Sequence, residues 1–421
     1  MPVSQTLADR FAEGVAAYDP ADGPVVLAVS GGSDSTALMH LVAAQLPADC
    51  LVVVSVHHGL RQEADAEIAL VAAQAEALGL RHEVQHWAWD QTGNLQAAAR
   101  AGRWALLRDY AQSVGAQAVW MGHTEDDQIE TVLMRLARGS GVDGLTGMAP
   151  LSRRDGVLIA RPLLGMTRAD LREWLKEQAL SWSDDPSNTD PRYARVKVRQ
   201  MYAQLQDLGL TPKRLLQTVE HMQAAQATLI AAAKDFATRH VVQEGADLVL
   251  DGAVLDLAAG DTPRRVLTAA LAWVNGANYR PRFDALRQAA AEACAGQTVT
   301  LAGVIWLQEK DGRVRLIREA AATATSPLSP RTDGQDRTLI WDSRWTISGP
   351  SGTGLQVRAL ADGLQSCPQW RETGVPRRSL MASPAIWDKE TLVAAPVAGL
   401  ANGWSARIVA DFHSTAFAIE D

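Results

Sequence analysis

Val25-Val26-Leu27-Ala28-Val29 runs directly into Ser30-Gly31-Gly32-Ser33-Asp34-Ser35 and then into Thr36-Ala37-Leu38-Met39-His40-Leu41-Val42. The first five residues are an apolar run of buried-strand length. The last seven carry apolar residues at helical spacing. A strand, a glycine turn and a helix in that order aim several backbone N–H groups at one point. The helix dipole adds partial positive charge there, so the point suits a phosphate or pyrophosphate. No Gly-Lys-Ser/Thr follows, so the turn is not a Walker A loop, and no third glycine makes it a dinucleotide fingerprint. Serine hydroxyls can donate to phosphate oxygens, and Asp34 is a carboxylate able to hold Mg²⁺. A tight turn with Ser33 or Asp34 as helix N-cap fits the same six residues.

Working outward, strand and helix signals alternate from about Pro24 to Arg199. Further strands are expected at Leu51–Val56, Arg81–Trp87 and Ala118–Met121. Helices are expected at Glu63–Leu78, from a cap at Asn94 towards Gly115, after Gly122, and from Thr167 to Gln178. Buried strands alternating with helices predict an α/β fold with a doubly wound parallel sheet. Ligands on such sheets sit outside the carboxyl ends of the strands. The Ser30–Ser35 loop, His57-His58 and Gly122-His123 all lie at such ends and should converge.

Around that point the residue types suit a nucleotide. Arg100 and Arg103 are three apart and share a helix face, able to clamp phosphate or simply to be solvated. Thr124-x-x-Asp127 has the form of a capping box. Asp126 and Glu130 are four apart and share a face, a pair able to hold Mg²⁺ against a triphosphate. His57, His58 and His123 lack the spacing of a zinc motif; His58 and His123 either contact substrate or satisfy backbone groups. Gly139–Gly147 is either a helix C-cap with a mobile connection or a flap over the nucleotide. Arg192, Arg195, Lys197 and Arg199 form a local cationic cluster, a candidate RNA-backbone contact or an ordinary solvated helix start.

With 421 residues, two or three domains are expected, and 47% apolar residues suffice for packed cores. No apolar run reaches membrane-spanning length, and Met1–Asp9 has no signal-peptide pattern, so a soluble cytoplasmic protein is expected. Cys50, Cys294 and Cys367 form no CxxC pair and are expected to be buried, small apolar residues. The net charge of −8 speaks against a non-specific nucleic-acid coat but allows a local basic groove.

Beyond Met201 the pattern is helical, with helices at about Pro212–Val241, Pro263–Trp273 and Arg282–Ala295 and a hairpin at Thr298–Ile317 turning at Lys310-Asp311-Gly312. Residues 320–336 have linker composition. From Arg337 a third domain of short strands is expected, with Arg371, Arg377 and Arg378 beside Trp370. The expected segments are 22–200, 201–319 and 337–421: the catalytic domain, a helical middle domain and a small α+β C-terminal domain. The thirteen tryptophans are dispersed and are expected mostly in cores or domain contacts.

Ser30–Ser35 matches letter for letter the SGGxDS loop of the N-type ATP pyrophosphatases, which adenylate a carbonyl-type oxygen and release pyrophosphate. The series SGGSDS (30–35), HHGLR (57–61), NLQAAARAGRW (94–104), GHTEDDQIET (122–131), GSGVDGLTGM (139–148), RPLL (161–164) and DPSN (185–188) resembles one family among them, tRNA(Ile)-lysidine synthetase. WTISGP (345–350) and PRRSLMASPAIWD (376–388) resemble its tail more loosely. One departure is Val196, where that family usually has asparagine in Tyr-x-Arg-Asn-x-x-Arg. The resemblance implies ATP as substrate, with Mg²⁺, to adenylate C2 of the wobble cytidine of tRNA-Ile with anticodon CAU. The ε-amino group of L-lysine then expels AMP. It implies Ser30, Gly31, Gly32, Ser33, Asp34, Ser35, His58, Arg100 and His123 as ATP contacts, and Asp34 and Glu130 as metal ligands. Asp34, Asp126, Asp127 and Arg103 take the catalytic roles, and Arg192, Arg195, Lys197 and Arg199 the tRNA contacts. Removal of the chain from Arg337 is expected to weaken tRNA affinity and leave ATP binding intact. A homodimer is compatible with this reading, which leaves the oligomeric state open. The nearest rival, a tRNA cytidine 2-thiolase of the same superfamily, needs cysteines for sulfur or cluster handling, and the absence of any CxxC pair counts against it.

Overall fold

The computed structural model describes residues 6–15, 23–59, 63–89, 95–184, 194–276, 281–323, 325–327, 337–350, 354–409 and 411–417. It divides into two compact units, residues 1–226 with 419–421, and residues 227–418.

In the first unit, β1 (Val25–Ala28), β2 (Leu51–His57), β3 (Arg81–His86), β4 (Ala118–Met121), β5 (Leu151–Arg154) and β6 (Val157–Ala160) form one sheet in the order β3-β2-β1-β4-β6-β5. Every neighbouring pair is parallel except the edge hairpin β5–β6. Alternation along β1 explains the apolar run. Val25 and Leu27 pack into one core with residues of α1 (Leu7–Val15), α2 (Ser33–Ala43), α3 (Glu63–Ala77) and α7 (Arg168–Glu177). Val26 and Ala28 pack into the other, with Trp104, Leu107 and Ala111 of α4 (Leu95–Ser113). Both faces of the sheet are therefore covered, and each fully buried aliphatic side chain contributes about 1.5–3 kcal/mol. The strand order reverses between β1 and β4, which opens the crevice where such sheets bind ligands.

A third cluster joins α5 (Glu125–Leu136) to α8 (Ala194–Asp207) and α9 (Pro212–His240), through Ile129, Leu133, Leu215 and Tyr202. The Gly139–Gly147 stretch carries the single turn α6 (Val142–Leu145) and is tied down rather than loose. The Arg135 guanidinium donates to the Gly144 and Gly147 carbonyls, and Gln128 makes two hydrogen bonds with the Met148 backbone. Gln226 donates to Asp143. This stretch closes against α5 and does not line the cavity described below.

The second unit begins within α9. Its antiparallel sheet runs β7 (Val241–Glu244), β8 (Asp247–Leu250), β11 (Val314–Arg318), β10 (Val304–Gln308), β9 (Val299–Leu301). The sheet packs with α10 (Gly252–Leu255), α11 (Asp261–Asn275) and α12 (Phe283–Cys294) around Trp306. The hairpin β7–β8 lies where only helix was expected. Two further antiparallel sheets follow: Ser326–Pro327, Leu355–Ala359, Pro384–Asp388 and Thr391–Ala394 in one, and Arg337–Trp341, Trp345–Gly349 and Ser405–Ile408 in the other. Phe412, near the end, is buried in the helical core of this same unit. Arg318 holds Asp342 through two hydrogen bonds, and the Ser379 hydroxyl donates to the buried Asp247 that Arg315 also contacts.

The tryptophans at 104, 120, 306, 341, 345, 387 and 404 are buried, as core residues should be. The cysteines correct the expectation: Cys367 is buried, but Cys50 is half-buried and Cys294, in the last turn of α12, is exposed. No helix among the described residues is long and apolar enough to cross a membrane.

Candidate active site

The loop after β1 is built to leave the N-terminus of α2 open. Gly31 takes φ +86°, and its carbonyl accepts from the Ser183 N–H at 2.8 Å. Gly32 is the N-cap, and no side chain caps the helix. Ser33 and Asp34 are therefore not capping residues, and the alternative reading of the loop as a capped tight turn fails. Ser35 Oγ instead accepts from the Ser30 N–H at 3.1 Å and donates to the Gly32 carbonyl at 3.1 Å, closing the loop on itself. Open N–H groups at the end of an eleven-residue helix favour an anion.

These residues border a cavity of about 790 Å³ in the first unit. Among the described residues ten arginines line it and only three carboxylates, those of Asp34, Asp127 and Asp184. On a chain of net charge −8 that concentration of positive charge marks an anion site. Arg103 is the clearest element. Among the described residues its guanidinium has no hydrogen-bond or ion-pair partner, and burial, with Arg100 adding to it, pushes its pKa below the usual arginine value. Ala28, Leu107, Met121, Ile159 and Trp104 supply an apolar wall, with Arg154 stacked 5.1 Å from the Trp104 ring.

Of the expected ATP contacts, Ser30, Gly32, Ser33, Asp34, Ser35, His58, Arg100 and His123 line the cavity; Gly31 shapes the loop from behind. The carboxylates separate. Asp127 lines the cavity while closing the capping box: its Oδ2 accepts from the Thr124 N–H and hydroxyl, each at 3.0 Å. Burial alone would raise its carboxyl, but the Thr124 N–H, Arg168 and His123 outweigh that and hold it below the usual range. Asp126 does not line the cavity; its Oδ2 accepts from the Arg168 backbone N–H at 2.7 Å and anchors the start of α7. Glu130 is buried beneath the cavity and paired with Arg199, with Arg195 at 3.9 Å. Arg195 and Arg199 line the cavity, as does Val196, while Lys197 is exposed outside it. Arg192 and Asp185–Asn188 lie outside the described residues.

Arg168 and Arg172 were not among the expected site residues. From the first turns of α7 Arg168 reaches Asp34 (Nε to Oδ2, 2.9 Å), Asp127 (3.3 Å) and Glu130 (3.8 Å). Burial on its own would lower its pKa, but these three acids outweigh it and raise it. Arg172 donates to Ser33 Oγ at 3.2 Å and pairs with Asp184. They stand four apart on α7, and nothing in the sequence separated them from solvated helix arginines.

The chain matches the PP-loop domain family ATP_bind_3 over residues 4–205. It is 42% identical over 402 residues to the tRNA(Ile)-lysidine synthase of Ruegeria pomeroyi, covering 92% of this chain and 93% of that one. The chain belongs to the tRNA(Ile)-lysidine synthase family. A second synthase, from Anaplasma marginale, is 34% identical over 77% of this chain and 71% of its own length. Among solved structures, a U34-tRNA thiolase NcsA from Methanococcus maripaludis aligns at 16% identity and a TM-score of 0.44, over 52% of this chain and 77% of its own. Membership of the synthase family covers the second unit as well as the PP-loop domain.

His123 carries a pH prediction. Burial, with Arg161 and Arg103 nearby and Asp127 opposing, lowers its pKa to about 4, and its Nδ1 is buried without a hydrogen-bond partner. The unfolded chain then takes up a proton between its ordinary value of 6.5 and about 4 that the folded chain refuses. Stability is thus full above pH 6.5 and falls as pH drops towards 4. The melting temperature of His123→Asn should fall less steeply across that window than that of the wild type. Parallel curves would refute the assignment.

Proposed function

We propose that this chain is a tRNA(Ile)-lysidine synthase: it joins L-lysine through its ε-amino group to C2 of the wobble cytidine of tRNA-Ile with anticodon CAU, releasing pyrophosphate and AMP. The reaction is a ligation forming a carbon–nitrogen bond, in the cytoplasm. The single observation that carries this reading is the arginine-lined cavity over an uncapped α2 N-terminus, in a chain of which 92% aligns with a synthase.

In the first step the substrate oxygen attacks the α-phosphate of ATP, and charge grows on the departing pyrophosphate. The loop N–H groups, the Ser30 hydroxyl and Arg103, unpartnered among the described residues, are placed to stabilise that charge, while the Ser35 hydroxyl, donating to the Gly32 carbonyl, holds the loop in shape. Arg100 adds to it from the rim. Mg²⁺ fits the donor set. The described residues hold no cluster of three or more metal-ligating side chains, but magnesium commonly takes one or two carboxylates and completes its shell with phosphates. Asp34 would hold it, with Glu130 the second candidate, and it would neutralise charge on the pyrophosphate. In the second step the lysine amine must be neutral to attack. Asp127, at the cavity wall, is the better-placed of the acids to orient and deprotonate it; Asp126 is committed to the backbone of α7. The apolar wall at Trp104 suits an unstacked base, which single-stranded loops release cheaply.

Segment 22–200 carries this chemistry, and 201–319 and 337–421 recognise the tRNA, alongside Arg192, Arg195, Lys197 and Arg199. Deleting the chain from Arg337 is not a clean test of that. It would strip Asp342 from buried Arg318 and Phe412 from the core, and breaking one buried ion pair alone costs about 3–5 kcal/mol. The exposed arginines at 371, 377 and 378 allow a gentler one. Their joint replacement by alanine should weaken tRNA binding at least about tenfold, flatten its salt dependence and leave ATP binding unchanged. Unchanged tRNA affinity would remove this surface from the tRNA path.

The function itself is tested by pyrophosphate release from ATP and Mg²⁺ with tRNA-Ile (CAU), with and without L-lysine. Release that requires this tRNA, followed by incorporation of labelled lysine with AMP formed, supports the reading. Pyrophosphate release without lysine incorporation would leave the superfamily and refute the substrate, and the thiolase alternative would then be next to assay.

A further inference from the structure

Both carboxylate oxygens of Asp34 are already engaged. Oδ1 accepts from the Ser33 hydroxyl at 2.9 Å, and Oδ2 accepts from Arg168 Nε at 2.9 Å. The other arms of the same guanidinium reach Asp127 and Glu130, and Glu130 is shared with Arg195 and Arg199. Three acids therefore face three arginines, and the cluster is neutral before any nucleotide arrives. A divalent cation added to Asp34 would meet a guanidinium on the same carboxylate, in a half-buried place where water screens poorly. Elsewhere in the cavity the balance is opposite. Among the described residues Arg103 has no anionic partner, and the α2 N-terminus is uncapped, so this half awaits negative charge.

We infer that Arg168 is a built-in stand-in for the metal. It holds Asp34 before the nucleotide binds, and it gives Asp34 up when Mg²⁺ arrives with ATP. The inference rests on the proposed reading of Asp34 as metal ligand and deepens it. The backbone of Arg168 stays where it is, because its N–H is held by Asp126 at 2.7 Å and the helix it opens is capped by Thr167. Only the side chain exchanges. Once off Asp34, the guanidinium still faces the cavity beside Arg172, where the phosphates of the incoming nucleotide replace the lost carboxylate. Binding of Mg²⁺ and ATP is then an exchange of partners that conserves charge pairing. Mg²⁺ alone, bringing no phosphate to receive Arg168, binds poorly.

This makes Arg168 a positioning residue whose removal has an unusual sign. Damage to a site raises the metal requirement, whereas loss of an internal competitor lowers it. The experiment titrates Mg²⁺ alone against the full chain, where no phosphate can receive Arg168, and then a non-hydrolysable ATP analogue with and without Mg²⁺, reading binding by calorimetry without tRNA or turnover. Wild type, Arg168→Gln and Arg168→Lys are compared, with melting curves for each. Half-saturating Mg²⁺ is expected to fall at least about fivefold in Arg168→Gln, and to stay within about twofold of wild type in Arg168→Lys, which keeps the charge. An unchanged or higher requirement in a folded Arg168→Gln protein overturns the exchange. If that variant does not fold, the wild-type structure with Mg²⁺ and the analogue decides: Arg168 still bonded to Asp34 overturns it, and Arg168 turned to the phosphates supports it. Analogue binding in the wild type that is indifferent to Mg²⁺ overturns the metal role of Asp34 and the exchange with it.

Discussion

Asp34→Asn is expected to lower tRNA-dependent pyrophosphate release by about 10³-fold, the scale of removing a group aimed at charge that develops in the transition state. The substitution keeps the shape of the side chain: its one amide oxygen can go on accepting from Arg168 Nε, and its amide N–H₂, in place of Oδ1, can donate to Ser33 Oγ, whose hydroxyl turns away. The negative charge is what disappears. Arg168 keeps Asp127 and Glu130 as partners, so no guanidinium is left buried alone and the melting temperature should move by only a few degrees. Affinity for tRNA should be unaffected, since Asp34 lies among groups that meet the phosphates of ATP rather than the RNA backbone. The decisive readings are single-turnover pyrophosphate release and lysine incorporation at saturating ATP. A variant that retained more than a tenth of wild-type release would place the charge-stabilising work elsewhere in the cavity, and Arg103 would be the next group to remove.

The sequence made the sheet legible because its strands are buried on both faces. Val25–Val29 and Ala118–Met121 read as unbroken apolar runs and Leu51–Val56 as one interrupted only by Ser55, and the structure puts each in the middle of the sheet. The β5–β6 hairpin escaped, although Asp155-Gly156 carries the turn signal: both residues have positive φ, as a two-residue hairpin requires. Its strands are four residues each, and β5 is Leu-Ser-Arg-Arg with Leu151 exposed, so only the short apolar run Val157–Ala160 of β6 announced the pair. At the site, spacing identified the loop, Arg103 and the capping box, all of them local features. What spacing cannot give is long-range pairing. Arg168 meets Asp34 across 134 positions, and nothing in the first turn of α7 distinguishes it from a solvated arginine. The roles of the neighbouring acids depend on the same contact. Asp126 and Asp127 are adjacent and chemically alike, yet one holds a backbone N–H and the other faces the cavity.

The last group to consider has no side chain. Gly122 follows β4 and brings its backbone against the phosphate loop, so that a Cβ there would lie 3.0 Å from the Asp34 carbonyl oxygen and 3.1 Å from Ser35 Cα. Its φ is ordinary, so glycine is required by close approach rather than by backbone conformation. Alanine would push the loop by a few tenths of an ångström, and valine would add two methyl groups to the same clash. The neighbours that must yield are main-chain atoms of the first turn of α2, which carry Asp34, Ser35 and the open N–H groups. Overpacking of this kind costs about 1–3 kcal/mol in stability. Its effect on rate should be larger, because displacing aligned groups by about 1 Å costs on the order of 10²-fold. Gly122→Ala is thus expected to slow pyrophosphate release about tenfold and Gly122→Val about 10²-fold, with the half-saturating ATP concentration raised in both. Gly165→Ala is the control: it adds the same methyl group where nothing lies within 4 Å, and should leave rate and stability unchanged. If Gly122→Val lost stability but kept its rate in the folded fraction, the loop would be tolerating the shift, and the close approach of β4 would serve packing rather than alignment of the phosphate site.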